Sequence, residues 1–184
     1  MERKKKLIIA ILGTPGVGKT TFAKKLGKKL GLEVIEANKI IEEKKLYSGL
    51  DKFKTKIVKL KEFEKEANKM AKEKGSFIIE GHILSDIKIK NAIAIVLREH
   101  LNTIYKRLKK RGYPYEKIFE NLESEATDYS GITAERNYKK VYEFLSSDKN
   151  LTEKVIKAIK GEKIRKEKVE LLEELLNFIM KSSQ

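Results

Sequence analysis

The stretch Gly13-Thr14-Pro15-Gly16-Val17-Gly18-Lys19-Thr20 decides the fold of this 184-residue chain. It reads as a glycine, four further residues and then Gly-Lys-Thr, which is the pattern of a phosphate-binding P-loop. A continuous apolar run precedes it over residues 7–12 and predicts a strand buried on both faces. Apolar residues at helical spacing follow it as far as Gly31 and predict a helix. Strand, glycine loop and helix are the context that this motif requires.

The P-loop pattern suits a nucleotide's phosphates for physical reasons. Backbone N–H groups of residues 16–20 can surround a phosphate at the positive end of the helix dipole. Glycine is favoured where the main chain approaches a phosphate closely and adopts positive φ. Lys19 adds a point charge near the β- and γ-phosphates, and the Thr20 hydroxyl can ligate Mg²⁺. The sequence therefore predicts a nucleotide-binding protein.

Composition narrows the class of protein further. A chain of 184 residues suits one domain with a sizeable core. It contains no cysteine, which excludes disulfides, thiolate zinc sites and cysteine nucleophiles. The longest apolar run has six residues, too few to span a bilayer, and the basic start lacks a signal-peptide cleavage pattern. We therefore expect a soluble cytoplasmic protein without a membrane partner.

The chain is strongly basic. Its formal net charge is +15, because 42 Lys and Arg residues outnumber 27 Asp and Glu residues. Such a charge suits polyanionic partners, namely nucleotide phosphates and also RNA. The competing interpretation is that a lysine-rich surface only maintains solubility and needs no partner.

Predicted strands alternate with predicted helices along most of the chain. After the first helix, strands are predicted over residues 33–36, 76–80, 92–97 and 141–144. Helices are predicted over residues 38–45, 62–74, 101–108, 115–138 (weakened at Ser130-Gly131) and 151–159, with a turn at Ser48-Gly49. Residues 150–153 carry the signature of a capping box. This alternation predicts a three-layer α/β fold with a five-stranded, mostly parallel sheet.

A last helix is predicted over residues 164–180. Its apolar residues fall on one side and Glu and Lys on the other, as in an amphipathic helix. The apolar side consists of Val169, Leu172, Leu175, Leu176 and Ile179. We expect this side to pack on the domain, or else on a partner or a second copy of the chain.

Two polar residues follow the predicted strand at residues 76–80. Glu80 ends that strand, where an acid of a P-loop protein can hold Mg²⁺ directly or through water. His82 lies at the same edge of the sheet and could orient a water or a phosphate. Ligands of parallel sheets bind at the carboxyl ends of the strands, which favours a functional role for both. The alternatives are a solvated strand end for Glu80 and a loop hydrogen bond for His82.

A basic cluster precedes Gly112-Tyr113. Phosphoryl transfer needs cations over the migrating phosphoryl group, and arginines on a mobile lid commonly supply them. Arg107 and Arg111 lie one helical turn apart and can point the same way. We predict a functional role for Arg111. For Lys106 and Lys109, the favoured interpretation is a basic helix terminus that complements the dipole.

Together these motifs resemble a known family. The series consists of residues 13–21, Ile79-Glu80-Gly81-His82, and Arg107 to Tyr113 with Lys117-Ile118 and Glu120-Asn121. In order and spacing it is similar to the adenylate kinase-like NTPases called adenylate kinase isoenzyme six, or CINAP in animals, here of an archaeal type. The similarity covers about residues 5–160.

The resemblance implies both architecture and activity. It implies an adenylate kinase-like P-loop NTPase domain at residues 1–160, with a monophosphate-binding segment at about 36–60 and a lid at about 110–120. Residues 161–184 would then form a helical extension. It also implies Mg²⁺-dependent conversion of ATP and AMP to two ADP, an ATPase activity, and a role in rRNA processing and small ribosomal subunit maturation. The partners implied there are a small-subunit platform ribosomal protein and rRNA.

Site residues carry over position by position. The resemblance implies that Lys19, Glu80, His82 and Arg111 are catalytic, and that Thr20 and Glu80 hold the magnesium ion. It implies contacts with ATP for Gly13, Gly16, Val17, Gly18, Lys19, Thr20, Thr21 and Arg111. Lys149, in the loop at residues 147–150, would lie beside the adenine.

The acceptor side departs from the family pattern. The position expected to hold an arginine for the acceptor monophosphate is Glu42, so that Lys44 or Lys45 would have to substitute. A lysine supplies a point charge without the bidentate fork of an arginine. Two alternatives to an adenylate kinase therefore stay open. One is a nucleotide-gated switch that binds a ribosomal protein or rRNA, and the other is a P-loop kinase of another small acceptor.

Overall fold

A computed structural model describes residues 6–164 and 169–182, without the side chains of residues 181 and 182. The first half of the chain forms β1 (Ile8–Leu12), α1 (Lys19–Leu30), β2 (Glu33–Glu36), α2 (Ala37–Glu43), β3 (Tyr47–Leu50), β4 (Lys56–Val58), α3 (Leu60–Glu73) and β5 (Phe77–Glu80). A 3-10 helix (His82–Asp86) follows, and then β6 (Ala92–Arg98), α4 (Leu101–Lys110), α5 (Tyr115–Ala126), α6 (Tyr129–Asn137), β7 (Lys140–Leu145), α7 (Leu151–Lys160) and α8 (Leu172–Ser182).

Five of the strands form one parallel sheet in the order β2-β5-β1-β6-β7. The P-loop strand β1 is central, and its Ile9 lies opposite Ile78 of β5 and Ile93 of β6. Glu80 pairs in register with Ile11, so the acid stands at the same edge of the sheet as the P-loop. The predicted α/β fold with a five-stranded parallel sheet is therefore confirmed.

Alternate residues of β1 build two cores, one on each face of the sheet. Ile9 and Ile11 pack with buried residues of α1, α4, α5 and α7. Ile8, Ala10 and Leu12 pack with buried residues of α2, α3 and α6. The all-apolar sequence of β1 follows from this arrangement, since each of its side chains is covered by a helix layer.

The β3–β4 hairpin differs from the prediction. Ser48-Gly49 was predicted to be a turn, but both residues lie inside β3. The chain turns instead at residues 51–55, because the Asp51 carboxylate accepts hydrogen bonds from the backbone N–H groups of Phe53 and Thr55, each at 2.8 Å. A side chain that bonds its own turn is a stronger signal than the Ser-Gly pair.

Two helix boundaries also differ. The predicted helix over residues 115–138 is divided at Thr127-Asp128 rather than at Ser130-Gly131, because Asp128 has φ of 54° and its carboxylate caps α6 through the Gly131 N–H. Helix α7 begins at Leu151 as predicted and ends at Lys160, one residue beyond the predicted end, and Gly161 with φ of 79° closes it. The capping box was wrong in detail, since the Asn150 side chain makes no capping hydrogen bond within the described residues.

The terminal helix is shorter than predicted, and only part of its predicted apolar side, including Val169 and Leu175, packs on the domain. Of the predicted residues 164–180, residues 165–168 lie outside the described part and the helix begins at Leu172. Leu171, Leu175 and Phe178 face the core, and Phe178 packs edge-on against Tyr105 of α4 at 5.1 Å. Leu172 and Leu176, predicted to be buried, are 58% and 62% exposed. Apolar residues occur on both sides of this helix, so periodicity alone could not choose between them.

Replacing Phe178 by alanine tests which side of α8 packs. We expect F178A to lower the free energy of unfolding by about 2 kcal/mol, because the Tyr105 contact and the partly buried ring are lost. The exposed Leu176 is the matched control, and L176A should stay within about 0.5 kcal/mol of wild type. Urea unfolding measures both. A larger loss for L176A than for F178A would reverse the assignment.

Candidate functional site

The P-loop fits tightly against the end of β6. Gly13 has φ of 133°, and a Cβ atom there would lie 2.3 Å from the Leu97 carbonyl oxygen. Gly16 and Gly18 also have positive φ, at 94° and 106°. Glycine at these positions therefore lets the loop adopt a conformation that an L side chain rarely adopts. Gly18 opens α1, whose first residue is Lys19.

Lys19 reaches back beneath the loop. Its Nζ donates hydrogen bonds to the carbonyl oxygens of Gly13 at 2.8 Å and Thr14 at 3.0 Å. Burial lowers the pKa of the ammonium to about 8, the carboxylates of Glu80 and Glu125 act to raise it, and Arg111 acts to lower it further. Because phosphate oxygens are charged and these carbonyl oxygens are neutral, we expect the ammonium to exchange carbonyl hydrogen bonds for phosphate contacts when a phosphate binds.

Glu80 and Thr20 meet at the end of β5. The Thr20 hydroxyl donates a hydrogen bond to the Glu80 carboxylate at 2.8 Å, and the Glu80 side chain is buried. Two oxygen ligands thus stand side by side next to the loop. Among the described residues, no cluster of three or more His, Cys, Asp or Glu side chains could hold a metal ion. A cation bound here would therefore need further oxygens from water or a ligand.

His82 begins the 3-10 helix after Glu80 and Gly81. Burial, helped by the charges of Lys19 and Lys117, lowers the pKa of its imidazole to about 4. The ring is therefore neutral at pH 7 and can both donate and accept a hydrogen bond. Gly81 brings this turn against α2, since a Cβ atom on it would lie 2.7 Å from the Cβ of Ala37.

One cavity of about 510 Å³ joins these groups. Arg111 ends α4 and reaches the cavity together with Tyr113. The predicted site residues that line it are Gly16, Gly18, Lys19, Thr20, Thr21, Glu80, His82 and Arg111. The residues that line the cavity do not include Gly13 and Val17, and the Val17 side chain is fully buried in the core. Cations, the Thr20–Glu80 pair and the second half of the loop thus share one space.

The opposite end of the cavity is formed by α2 and the β3–β4 hairpin. Glu42 lines it and pairs with Lys56. Lys44, expected to substitute for an arginine, pairs instead with Glu66 at 2.9 Å. Besides Lys19, the lysines that line the cavity are Lys54 and Lys56. The cations come from the hairpin and not from the end of α2.

The predicted lid and the predicted monophosphate segment touch each other. Lys117 of α5 donates a hydrogen bond to the Thr55 hydroxyl of the hairpin. Lys52 pairs with Glu120 of the same helix at 3.0 Å. These contacts join α5 to the hairpin, and residues of both elements line a second cavity of about 290 Å³.

Lys149 lies apart from this constellation. It is exposed on the turn before α7, and the residues that line the two cavities do not include it. Its contact with an adenine stays a prediction. Ser146, the residue between β7 and that loop, does reach the P-loop, since its hydroxyl lies 2.5 Å from the Val17 carbonyl oxygen and 3.0 Å from the Glu99 carboxylate.

Two further contacts with the loop were not predicted. Arg107 donates a hydrogen bond to the Gly16 carbonyl oxygen at 2.9 Å and also lies 3.5 Å from Glu99. Thr14 donates to the buried Glu125 carboxylate at 2.5 Å. The one-turn spacing of Arg107 and Arg111 was the sequence signal for the Arg107 contact, because it allows both side chains to point the same way. The Thr14–Glu125 contact has no local signal, because it joins residues 111 positions apart.

The fold and the loop define a P-loop protein of the kinase fold. Shikimate kinase from Acinetobacter baumannii, solved with shikimate, superposes with a TM-score of 0.59 at 16% identity, over 88% of this chain and 97% of that chain. Shikimate kinase from Bacteroides thetaiotaomicron gives a TM-score of 0.54 at 16% identity, over 94% and 99%. At these identities the likeness shows the fold alone.

Sequence relatives define the family. Residues 9–128 match the AAA domain family. A Methanocaldococcus jannaschii protein named "Putative adenylate kinase" is 34% identical over 175 residues, which cover 93% of this chain and 96% of that protein. A Pyrococcus furiosus protein of the same name is 41% identical over 155 residues, covering 81% and 80%. The chain belongs to the AAA domain family and to the archaeal protein family that these relatives represent. Among the described residues, none of the helices is long and apolar enough to cross a bilayer.

The low pKa of Lys19 predicts proton uptake when a nucleotide binds. At pH 8.5, an ammonium with a pKa of about 8 is mostly deprotonated, and nearby phosphate charge will restore its proton. We expect ADP binding without Mg²⁺ to take up roughly 0.7 proton per site at this pH. Calorimetry in buffers of different ionisation enthalpy measures the uptake. The variant K19M should bind ADP more weakly and take up none, and equal uptake by both proteins would contradict the assignment.

Proposed function

We propose that the protein is a Mg²⁺-dependent nucleoside monophosphate kinase that transfers the γ-phosphoryl group of ATP to AMP. When no acceptor is bound, it would hydrolyse ATP slowly. The observation that carries this proposal is the single cavity in which Lys19, the Thr20–Glu80 pair, His82 and Arg111 face a second group of cations, Lys54 and Lys56. Donor and acceptor phosphates could meet in this space.

The donor end has the parts that phosphoryl transfer requires. Lys19 and Arg111 would neutralise charge that develops on the transferred group, and the loop N–H groups would hold the β-phosphate. The hydroxyl and carboxylate oxygens of Thr20 and Glu80 suit Mg²⁺, which typically takes one or two protein ligands and completes its shell with phosphates and water. Bound there, the ion would supply charge neutralisation on the phosphates.

His82 suits the placement of the nucleophile. Because burial keeps its imidazole neutral at pH 7, the ring could accept a hydrogen bond from an attacking hydroxyl or water, or donate one to a phosphate oxygen. With a pKa of about 4 the ring is not a protonated acid at this pH, and the negative charge of a bound phosphate would act to raise that pKa. We therefore assign it an orienting role.

The acceptor end relies on lysines. Lys54 and Lys56 would meet the acceptor's phosphate, and Glu42 is already paired with Lys56. Point charges hold a phosphate with less directional preference than a bidentate arginine does. AMP is the proposed acceptor, because the archaeal relatives named adenylate kinases align over most of the chain.

We further infer membership of the isoenzyme six or CINAP group, with a role in small ribosomal subunit maturation beside a platform ribosomal protein and rRNA. The residue series quoted above and the net charge of +15 support this inference. Binding of small-subunit rRNA fragments and of the ribosomal protein, with and without ATP, tests it. Equal weak binding to any polyanion would reduce it to charge alone.

An acceptor screen tests the proposed activity. ATP with Mg²⁺ is incubated with each nucleoside monophosphate, and formation of the diphosphate is measured by a coupled assay. We expect most product with AMP, and in K19A a loss of at least about a hundredfold in kcat/KM. E42R adds the bidentate group and should raise kcat/KM for AMP several-fold. No diphosphate from any acceptor and no ATP hydrolysis would reject the proposal.

The magnesium ligands predict a matched pair of variants. E80Q keeps the shape of the side chain and loses its charge, so we expect kcat to fall roughly a hundredfold and the required Mg²⁺ concentration to rise. E80D retains a carboxylate and should stay within about tenfold of wild type. Steady-state rates across a Mg²⁺ titration measure both effects. Unchanged Mg²⁺ dependence in E80Q would remove Glu80 from the metal site.

A further inference from the structure

A buried carboxylate outside the cavity is bonded directly to the P-loop. Glu125 lies near the end of α5 and is 1% exposed. Its Oε2 accepts a hydrogen bond from the Thr14 hydroxyl at 2.5 Å. The Thr14 side chain is 2% exposed and points away from solvent. Its hydroxyl is therefore engaged with Glu125.

The other oxygen of Glu125 is fixed just as firmly. Oε1 accepts hydrogen bonds from Arg98 Nε at 3.0 Å and from the Glu99 backbone N–H at 2.9 Å. Arg98 also donates to the Glu125 backbone carbonyl at 2.5 Å. Burial raises the pKa of the Glu125 carboxyl, and the charge of Arg98 with these hydrogen bonds opposes that rise. A carboxylate with donors on both oxygens cannot turn without breaking a bond.

Arg98 connects the Glu125 carboxylate to the end of β6, to α6 and to β7. It ends β6, is 1% exposed, and pairs with Asp128 at 2.6 Å and Glu143 at 3.3 Å. The residue before it, Leu97, is the one whose carbonyl oxygen lies against Gly13. The end of β6 therefore supports the first half of the loop twice, through the backbone at Gly13 and through Arg98 and Glu125 at Thr14.

Anchoring from outside matters because the loop binds phosphate through its N–H groups. The Gly16 carbonyl is bonded to Arg107, and the Val17 carbonyl lies within hydrogen-bond distance of Ser146. With these carbonyl groups held from behind, they do not compete for the space in which the loop would receive a phosphate. In the first half of the loop, Lys19 holds the carbonyl oxygens of Gly13 and Thr14, the Val17 N–H donates to the Thr14 carbonyl oxygen, and Glu125 adds a contact with the Thr14 side chain.

We propose that Glu125 is a positioning residue, which holds the P-loop in its phosphate-receiving conformation through Thr14 and ties it to α5. Helix α5 begins at Tyr115, within the proposed lid segment, and ends one residue after Glu125, so a single helix connects the Thr14 contact to that segment. A loop released at Thr14 would have to be ordered again when a nucleotide binds, and that cost would appear as lower affinity. This inference rests on the proposed nucleotide site but not on phosphoryl transfer.

Variants at Thr14 test the contact while every charged side chain stays in place. T14V keeps the shape and removes the donor, and T14S keeps the hydroxyl. We expect the Kd for ADP to rise about tenfold in T14V and to stay within about threefold in T14S. Calorimetric titration with ADP gives Kd, and urea unfolding shows whether each variant is folded at the titration temperature. The same Kd in T14V as in wild type would overturn the proposal, even if T14V were less stable.

Variants at Glu125 test the partner. E125Q can still bond Thr14 with the roles reversed, so we expect a smaller rise in Kd than in T14V, whereas E125A should match or exceed T14V. Adding T14V to E125A should change Kd by less than about twofold, because the bond is already lost. E123Q, an exposed acid on the same helix, is the control and should leave Kd unchanged. Additive effects of T14V and E125A on Kd would contradict the proposed contact between the two residues. If E125A does not fold, the comparison of T14V with T14S tests the proposal by itself.

The kinase assay separates this proposal from the proposed function. Wild-type protein that binds ADP but forms no diphosphate would reject the kinase and leave the positioning test intact. In an active enzyme, we expect T14V to raise KM for ATP more than it lowers kcat. Absence of ADP binding by the wild type would overturn both proposals.

Discussion

Burial of the Lys19 ammonium beneath the P-loop is the constraint on which the rest of the site depends. A buried cation is costly unless polar groups surround it, and here the carbonyl oxygens of Gly13 and Thr14 do so. The loop must curl over the lysine to present them, which requires positive φ at Gly13 and its packing on the end of β6. The same curl leaves N–H groups for a phosphate. A single electrostatic requirement thus shapes the loop before any ligand binds.

The two carboxylates nearest to this ammonium belong to different parts of the molecule. Glu80 stands at the cavity wall beside Thr20, and Glu125 stands behind the loop on Thr14 and Arg98. Both act to raise the pKa of Lys19 against the effect of burial. Glu80 lines the cavity, whereas Glu125 holds Thr14 and Arg98 behind the loop. The proposed acceptor end is built differently, since Lys54 and Lys56 lie on a two-stranded hairpin outside the main sheet, where Lys56 pairs with Glu42.

Much of the fold, and many of the residues that line the cavity beside the P-loop, could be predicted because the signals are local. The apolar run of β1, the glycine pattern and an acid at the end of β5 each lie within a few residues. The hairpin turn was missed because the Asp51 side chain, and not a Gly or Pro, makes it. The packing side of the terminal segment was predicted only in part, at Val169 and Leu175, because α8 has apolar residues on both sides. Contacts such as Thr14 with Glu125 depend on how α5 packs, which no short pattern records.

The claim that donor and acceptor phosphates meet in one cavity is tested most directly by following the γ-phosphoryl group itself. ATP labelled with ³²P at the γ-position is incubated with Mg²⁺, AMP and the protein, and the products are separated. Transfer within the cavity predicts label in ADP, formed faster than labelled inorganic phosphate. Label in inorganic phosphate alone, at the same rate with and without AMP, would contradict it.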